Sequence, residues 1–191
     1  WDEIPLEGFH ERTYNVYLDD ARVHESQMVG EEHEGLYNLF SSLNSERIVV
    51  AAVCYVIGKS ALDLASSYAN DRVVFSEPIG SHQAIQHPLA DAYAGLETAH
   101  LMTRKAAWLY DGDAPSNEIG SVANIAKLKA AEAAFDACDA AMQTYGGMSI
   151  AKEIPISKMW SYIRHQRVAP VSDEMCLNHI AENQLGLPRS Y

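Results

Sequence analysis

The spacing of hydrophobic residues changes near residue 31 of this 191-residue chain. Between residues 11 and 23, apolar and polar positions alternate loosely, with Tyr14, Val16 and Leu18 on one side. This period of two predicts a β-strand, and the turn-forming pair Asp19 and Asp20 predicts its end. A single strand cannot satisfy its own backbone hydrogen bonds, and no later segment has a strand pattern. We therefore expect an orphan strand whose partners belong to a preceding part of a longer protein.

From residue 32 onward the hydrophobic period is helical. A first stripe begins at Leu36, Leu39 and Leu43. Asn44 or Ser45 is then expected to cap the next helix, because a short polar side chain accepts a hydrogen bond from a free backbone N–H group. Proline and glycine mark the later breaks. The further predicted helices cover residues 46–70, 81–110, 117–145, 155–167 and 172–185.

Alanine forms a regular seam along the predicted helix 117–145. The seam residues are spaced alternately three and four apart: Ala123, Ala126, Ala130, Ala133, Ala137 and Ala140. Small side chains let a second helix approach closely and pack side by side. The pattern as a whole predicts an all-α fold, an antiparallel four-helix bundle with extra short helices, preceded by one orphan β-strand.

Composition narrows the class of protein without naming a substrate. The formal net charge of −12 argues against a nucleic-acid surface, because a phosphate footprint needs clustered Lys and Arg. Three cysteines, Cys54, Cys138 and Cys176, lie in apolar helical patterns and are typical of buried thiols in a reducing compartment. The charge-free apolar run 48–58 is shorter than the roughly 20 residues that span a bilayer. We expect a cytoplasmic protein with no membrane span.

Metal chemistry is weakly supported. Glu97 and His100 have the Glu-x-x-His spacing that carboxylate di-iron bundles use. Such a site needs a second pair on another helix, and the other candidate, Glu7 and His10, lies beside Gly8 in a non-helical stretch. We therefore expect no metal.

The loop 71–79 lies between two long predicted helices and contains Arg72 and Phe75. A cation and an aromatic ring at this separation are able to clamp a phosphate and stack against a ring. A solvated arginine in a loop is common, so the motif alone does not decide a function.

A set of ordered segments resembles the acyl-CoA dehydrogenase family. The segments, in family order across roughly residues 12–185, are 46–52, 61–65, 68–69, 72–79, 82–86, 89–91, 106–108, 126–127, 143–147 and 152–155. The resemblance implies the carboxy-terminal helical domain of an FAD-dependent enzyme that oxidises the Cα–Cβ bond of acyl-CoA in fatty acid metabolism. In the family an amino-terminal helical domain and a middle β-domain precede this bundle. Residues 1–30 would then be the end of the β-domain and a linker, and residues 31–191 the bundle.

The resemblance also implies roles for individual residues. Asn44 and Arg47 would line the acyl-CoA pocket. A second group would contact FAD, partly that of a neighbouring subunit: Arg72, Phe75, Gln143, Gly146, Gly147 and Ser172. The implied partners are an electron-transferring flavoprotein and further subunits, in a homo- or hetero-oligomer of two or four chains such as a homotetramer. The chain alone is expected to be inactive and to bind FAD weakly.

The catalytic base is the point where the sequence departs from the family. Most members place a Glu in the late motif, and an ungapped alignment from Pro155 puts Pro170 there. Proline cannot accept a proton. Some branches carry the base directly before the Arg of the early helix, where this chain has Glu46. Glu46 is therefore the predicted base. The alternatives left open are Asp173 or Glu174 as the base, or a non-catalytic FAD-binding assembly subunit of a hetero-oligomer.

Overall fold

The computed structural model describes residues 1–6 and 12–189, and it divides into two units, Trp1–Leu43 and Asn44–Tyr191. Glu7 and His10, the second pair with Glu-x-x-His spacing, lie outside the described residues. In the described part of the chain, no group of three or more His, Cys, Asp or Glu side chains is arranged to hold a metal ion.

The first unit contains two short strands, β1 (Asp2–Ile4) and β2 (Thr13–Asn15), which pair antiparallel. The predicted strand 11–23 is therefore too long, and the expectation of an orphan strand is wrong. Its partner precedes it in the chain, where three exposed residues give too short a pattern to be recognised. Both strands are exposed along their length. A 3₁₀ turn at Glu25–Gln27 follows, and the side chain of His24 caps it.

Helix α1 (Gly35–Asp71) is a single helix of 37 residues. The prediction of a break with a cap at Asn44 or Ser45 is wrong. No proline or glycine interrupts residues 36–57, so the backbone continues through this stretch. The Asn44 side chain, which has the chemistry of a cap, instead bonds to Ser116.

Four further helices complete the second unit: α2 (Gln83–Asp111), α3 (Ser116–Tyr145), α4 (Ile156–Gln166) and α5 (Asp173–Gln184). Helix α3 packs against α2, α4 and α5. Helix α1 reaches both α2 and α3 at Gly58, whose missing side chain leaves room for Leu96 and Ala134. A hairpin of β3 (Val73–Val74) and β4 (Glu77–Pro78) joins α1 to α2. Five helices packed as a bundle confirm the all-α prediction.

The alanine seam of α3 lies in the bundle core. Ala123, Ala126, Ala130 and Ala137 are fully buried, Ala133 is 8% exposed, and Ala140 is half-buried. The spacing therefore identified the buried face of the helix. Helix α3 ends at Tyr145, and the next residue, Gly146, has a φ of +57°, a conformation that side chains disfavour.

One helix in the described part of the chain has the length and composition to cross a membrane, the Ser42–Asp71 portion of α1. A core helix of a bundle has the same properties, and Ala51, Cys54 and Ala61 of this portion are fully buried. The charge-free run 48–58 is shorter than this portion of the helix, because Lys59 interrupts it. The absence of a membrane span stays a prediction.

Candidate functional site

A buried arginine lies near the start of the second unit. Arg47 in α1 is 7% exposed; its Nη2 donates to Oδ1 of Asn44 at 2.6 Å, and its Nη1 donates to Oδ1 of Asn124 at 3.1 Å. Its Nε is buried and has no partner among the described atoms. Burial lowers the pKa of Arg47. The structure therefore brings the two predicted substrate-binding residues together and leaves one of their donors unsatisfied.

Asn124 connects this cluster to the last helix. It is 2% exposed in α3, and its Oδ1 also accepts a weak hydrogen bond from Sγ of Cys176 in α5 at 3.6 Å. Sequence reasoning missed Asn124. The available signal was an asparagine on the apolar side of an alanine-rich helix, one position after Ala123, where burial without a partner would be costly.

A second polar cluster, which we call the Lys127 network, consists of Lys127, Arg167 and Asp173. Lys127 is fully buried, and its Nζ donates to the carbonyl oxygen of Val171 at 2.6 Å and lies 3.4 Å from Oδ1 of Asp173. The other oxygen of Asp173 accepts from Nε of Arg167 at 2.7 Å. Sequence reasoning did not foresee this network either, since a lysine in a helix usually marks its solvated face.

The hairpin after α1 presents Phe75 at its tip. The two-residue turn Phe75–Ser76 has φ values of +54° and +72°, as a type I′ turn requires. Phe75 is 90% exposed, which is unusual for a large aromatic side chain. Arg72, also exposed, lies at the base of the hairpin, where its carbonyl accepts from the N–H of Ile79 at 2.8 Å.

The other predicted FAD residues lie at two places. Gln143 and Gly146 line a shallow pocket of about 340 Å³ at the end of α3, beside Trp160 of α4. A side chain at Gly146 or Gly147 would meet nothing within 4 Å, so their backbone is open to a ligand. This end of α3 adjoins the end of α1, because the rings of Tyr68 and Tyr145 stack at 4.2 Å. Ser172 lies elsewhere, at the start of α5, where its Oγ accepts from the N–H of Met175 at 3.3 Å.

Comparison with known proteins identifies the family. Residues 33–185 match the family described as "Acyl-CoA dehydrogenase, C-terminal domain". The chain belongs to the acyl-CoA dehydrogenase family. It is 46% identical over 184 residues to the acyl-CoA dehydrogenase FadE12 of Mycobacterium tuberculosis, an alignment that covers 95% of this chain and 46% of that protein. The chain thus spans less than half the length of this relative.

Two solved structures describe the relation in three dimensions. The glutaryl-coenzyme A dehydrogenase glutaryl-CoA complex is similar with a TM-score of 0.80 and 27% identity, over 91% of this chain and 44% of that one. The FAD complex of PigA is similar with a TM-score of 0.82 and 24% identity, over 88% of this chain and 43% of that one, which shows a shared fold. The resemblance inferred from the sequence is confirmed at the level of family and domain.

The candidate bases of this acyl-CoA dehydrogenase domain differ in how free their carboxylates are. Glu46 is exposed on α1, next to Arg47. Asp173 is 5% exposed and already bound by Lys127 and Arg167, so its oxygens are occupied. A hydrogen bond from its own backbone N–H, and one from Ser172, lower the pKa of Glu174, which weakens it as a base. The assignment of Glu46 as the base stays a prediction.

Proposed function

We propose that this chain is the helical-bundle part of an FAD-dependent acyl-CoA dehydrogenase. The reaction removes a proton from Cα of an acyl-CoA thioester while the hydrogen on Cβ leaves as hydride. The observation that carries the proposal is the buried Arg47 and Asn44 pair, which keeps one donor unsatisfied and to which the sequence resemblance assigns the acyl-CoA pocket. An unpaired buried donor is costly, and a ligand oxygen would relieve that cost.

FAD fits the residues that the family assigns to it. Arg72 offers an exposed cation for a phosphate, Phe75 offers an exposed ring face, and Gly146 leaves open backbone beside Gln143. When bound, FAD supplies the hydride acceptor. The exposed position of the Phe75 hairpin suits a cofactor held by a neighbouring subunit, because the ring contacts little of its own chain.

Proton removal needs a carboxylate whose pKa is brought towards neutrality by desolvation. Glu46 is exposed in this chain, so its role as base requires that the acyl chain, or another part of the enzyme, covers it. Ala169 and Pro170 are small, half-buried residues, and they would let an apolar acyl chain pack nearby. Arg47, held by Asn44 and Asn124, would orient the neighbouring carboxylate or the substrate.

The proposed partners follow from the family and from exposed apolar residues. Leu101 and Trp108 are 67% and 72% exposed, seven residues apart on α2, and Val49 and Val56 are 60% and 59% exposed, seven apart on α1. Residues seven apart lie on one helix face, so each pair forms an apolar stripe suited to subunit contact. We propose an oligomer of two or four chains, an electron-transferring flavoprotein as the electron acceptor, and a cytoplasmic location.

A second candidate function is a non-catalytic subunit that binds FAD across an interface. Two observations favour it. By the sequence resemblance, Pro170 stands at the usual base position, and Glu46 is exposed. In this alternative the chain would still need Arg72 and Phe75, because cofactor binding is retained.

The deciding experiment measures flavin reduction by a panel of acyl-CoA thioesters in the full-length protein. Glu46→Gln should nearly abolish reduction and leave acyl-CoA binding largely intact, because the amide keeps the shape but cannot accept a proton. Glu118→Gln, an exposed glutamate in the first turn of α3, is the matched control and should behave as wild type. A folded, flavin-loaded wild-type homo-oligomer that no acyl-CoA reduces would favour the non-catalytic subunit.

A cofactor experiment tests both candidates. Arg72→Ala should weaken FAD binding by about 1.5–3 kcal/mol, roughly 10- to 150-fold in Kd, because it removes a charge-assisted phosphate contact. Arg104→Ala, an exposed arginine of α2, is the control. Equal FAD affinity in the two variants would refute the assignment of Arg72.

A further inference from the structure

The segment between α4 and α5 is fastened to α3 by the Lys127 network. Lys127 bonds the carbonyl of Val171 at 2.6 Å, and Asp173 closes the segment by pairing with Arg167 at 2.7 Å. A backbone hydrogen bond from the N–H of Asp173 to the carbonyl of Arg167, at 3.1 Å, joins the same two residues. Residues 168–172 therefore form a short loop with both ends tied together and one carbonyl held from inside the bundle.

Stability alone does not account for a charge at this position. Lys127 is fully buried, and removing an ammonium group from water is costly even when it is paired. An apolar side chain of similar volume would fill the same buried space without that cost. What the ammonium group supplies and an apolar side chain cannot is a directed hydrogen bond, which selects one backbone carbonyl at a defined position. The network thus specifies the path of the loop.

The loop lies close to the proposed acyl-CoA pocket through α3. Asn124, one helical turn before Lys127, accepts from Arg47 on one side and from Cys176 of α5 on the other. The N–H of Cys176 in turn donates to the carbonyl of Ser172 at 3.1 Å. One face of α3 therefore holds both the pocket arginine and the loop that carries Pro170.

We infer that Lys127 is a positioning residue for the proposed dehydrogenation. Through the carbonyl of Val171 and the carboxylate of Asp173, it sets the loop that carries Pro170, to which the sequence resemblance assigns the usual base position. The inference rests on the proposed function. Pro170 offers no proton acceptor, so the role of the loop is to pack against the acyl chain and restrict its position in the pocket. Lys127 holds the loop in the conformation that this packing requires. Its removal should alter the rate of the chemical step more than the affinity for acyl-CoA.

The test compares Lys127→Met with Lys129→Met in the full-length protein. Lys129 lies two residues along the same helix, 57% exposed and paired with Glu132, so its variant controls for loss of a lysine. Lys127→Met should slow flavin reduction per bound flavin on the order of 10- to 100-fold, the loss expected for a displacement of about 1 Å. The acyl-CoA Kd should stay within about threefold of wild type. The rate is expressed per bound flavin because Ser172, a predicted FAD contact, lies in the same loop. An unchanged rate per flavin accompanied by a lower melting temperature would assign Lys127 a structural role and overturn the inference.

Hydrogen exchange gives a readout that does not depend on catalysis. The N–H groups of Val168, Ala169 and Asp173 are hydrogen-bonded in the structure, so they should exchange faster in Lys127→Met and not in Lys129→Met. If Lys127→Met fails to fold, Asp173→Asn, which leaves the lysine–Val171 bond in place, should show the same two effects in weaker form. If wild type reduces no flavin, the proposed function fails, and unchanged exchange would separately overturn the positioning role.

Discussion

Two long helices approach each other closely at Gly58 of α1, and this contact predicts the effect of Gly58→Ala. A Cβ atom at this position would lie 2.8 Å from Cδ2 of Leu96, 3.0 Å from Cα of Ala134 and 3.2 Å from Cβ of Ala134. Carbon atoms in contact normally lie about 3.5–4.0 Å apart. The Leu96 side chain is able to rotate, whereas the Ala134 backbone moves only with α3, which also packs against α4 and α5. The added methyl group therefore has to separate α1 from α3.

Two opposing effects set the magnitude. Overpacking a core by one methyl group costs about 1–3 kcal/mol. Replacing glycine by alanine inside a helix gains about 1 kcal/mol. We expect a net loss of about 1 kcal/mol in the free energy of unfolding, which corresponds to a decrease in Tm of about 2–4 °C for a domain of this size.

Gly95→Ala provides the matched control. Gly95 also lies inside a long helix, α2, but a Cβ there meets only Cβ of Ala133 at 3.6 Å, an ordinary contact. This variant should gain about 0.5–1 kcal/mol, because the helix preference acts without the clash. Urea denaturation followed by circular dichroism measures both variants. A Gly58→Ala chain as stable as Gly95→Ala would refute the close packing of α1 on α3.

Three further predictions concern local electrostatics and backbone strain. Partial burial, together with the nearby carboxylates Glu132, Asp139 and Asp91, raises the pKa of Asp136 against the opposing charge of Arg167. Protonation of Asp136 therefore stabilises the fold at low pH, and this contribution is lost as the pH rises through the folded pKa. Asp136→Asn should therefore raise the free energy of unfolding at neutral pH by only about a few tenths of a kcal/mol, because the Asp136 side chain stays largely in contact with solvent. The Tm should rise accordingly, and equal Tm values of the two proteins at pH 7 in low salt would contradict this. Burial, then the charge of Arg47, lowers the pKa of His179, so the stability present above about pH 6.5 is lost as the pH falls towards the folded pKa. His179→Gln should flatten the decline in Tm between pH 7 and pH 5, and an unchanged decline would exclude His179 as its cause. Ser76 has a φ of +72°, which glycine adopts without strain, so Ser76→Gly should stabilise the hairpin turn by about 0.5 kcal/mol. Urea denaturation measures this change, and an unchanged free energy of unfolding would show that Ser76 is not strained.

Features that depend on the spacing of residues within one segment were predictable from the sequence. The alanine seam identified the buried face of α3, because a period near 3.6 is a property of one segment alone. Asn44 and Arg47 lie three residues apart, one helical turn, and do bond to each other. The mistaken cap at Asn44 has the opposite cause. Its partner, Ser116, is 72 residues away, and nothing local distinguishes an asparagine that caps a helix from one that bonds across a bundle.

The buried charges were hidden for the same reason. Lys127 and Asp173 are 46 residues apart, and each taken alone resembles a solvated helix residue. Only the fold shows that α5 begins against α3, so that the aspartate meets the lysine in the core. The pairing of strand β2 was missed for a different reason. Its partner β1 has three residues, which are too few to establish an alternating pattern.

The alanine seam also limits how the bundle is able to move. Alanine has no side-chain rotamers, so packing it costs no side-chain conformational entropy, and it leaves none available for later adjustment. Where larger side chains meet, two helices accommodate a change by switching rotamers, but at the alanine positions of α3 the seam itself offers no such adjustment. A rearrangement at the seam on ligand binding or subunit association would therefore require a shift of the helix backbones, as in the sliding of packed helices.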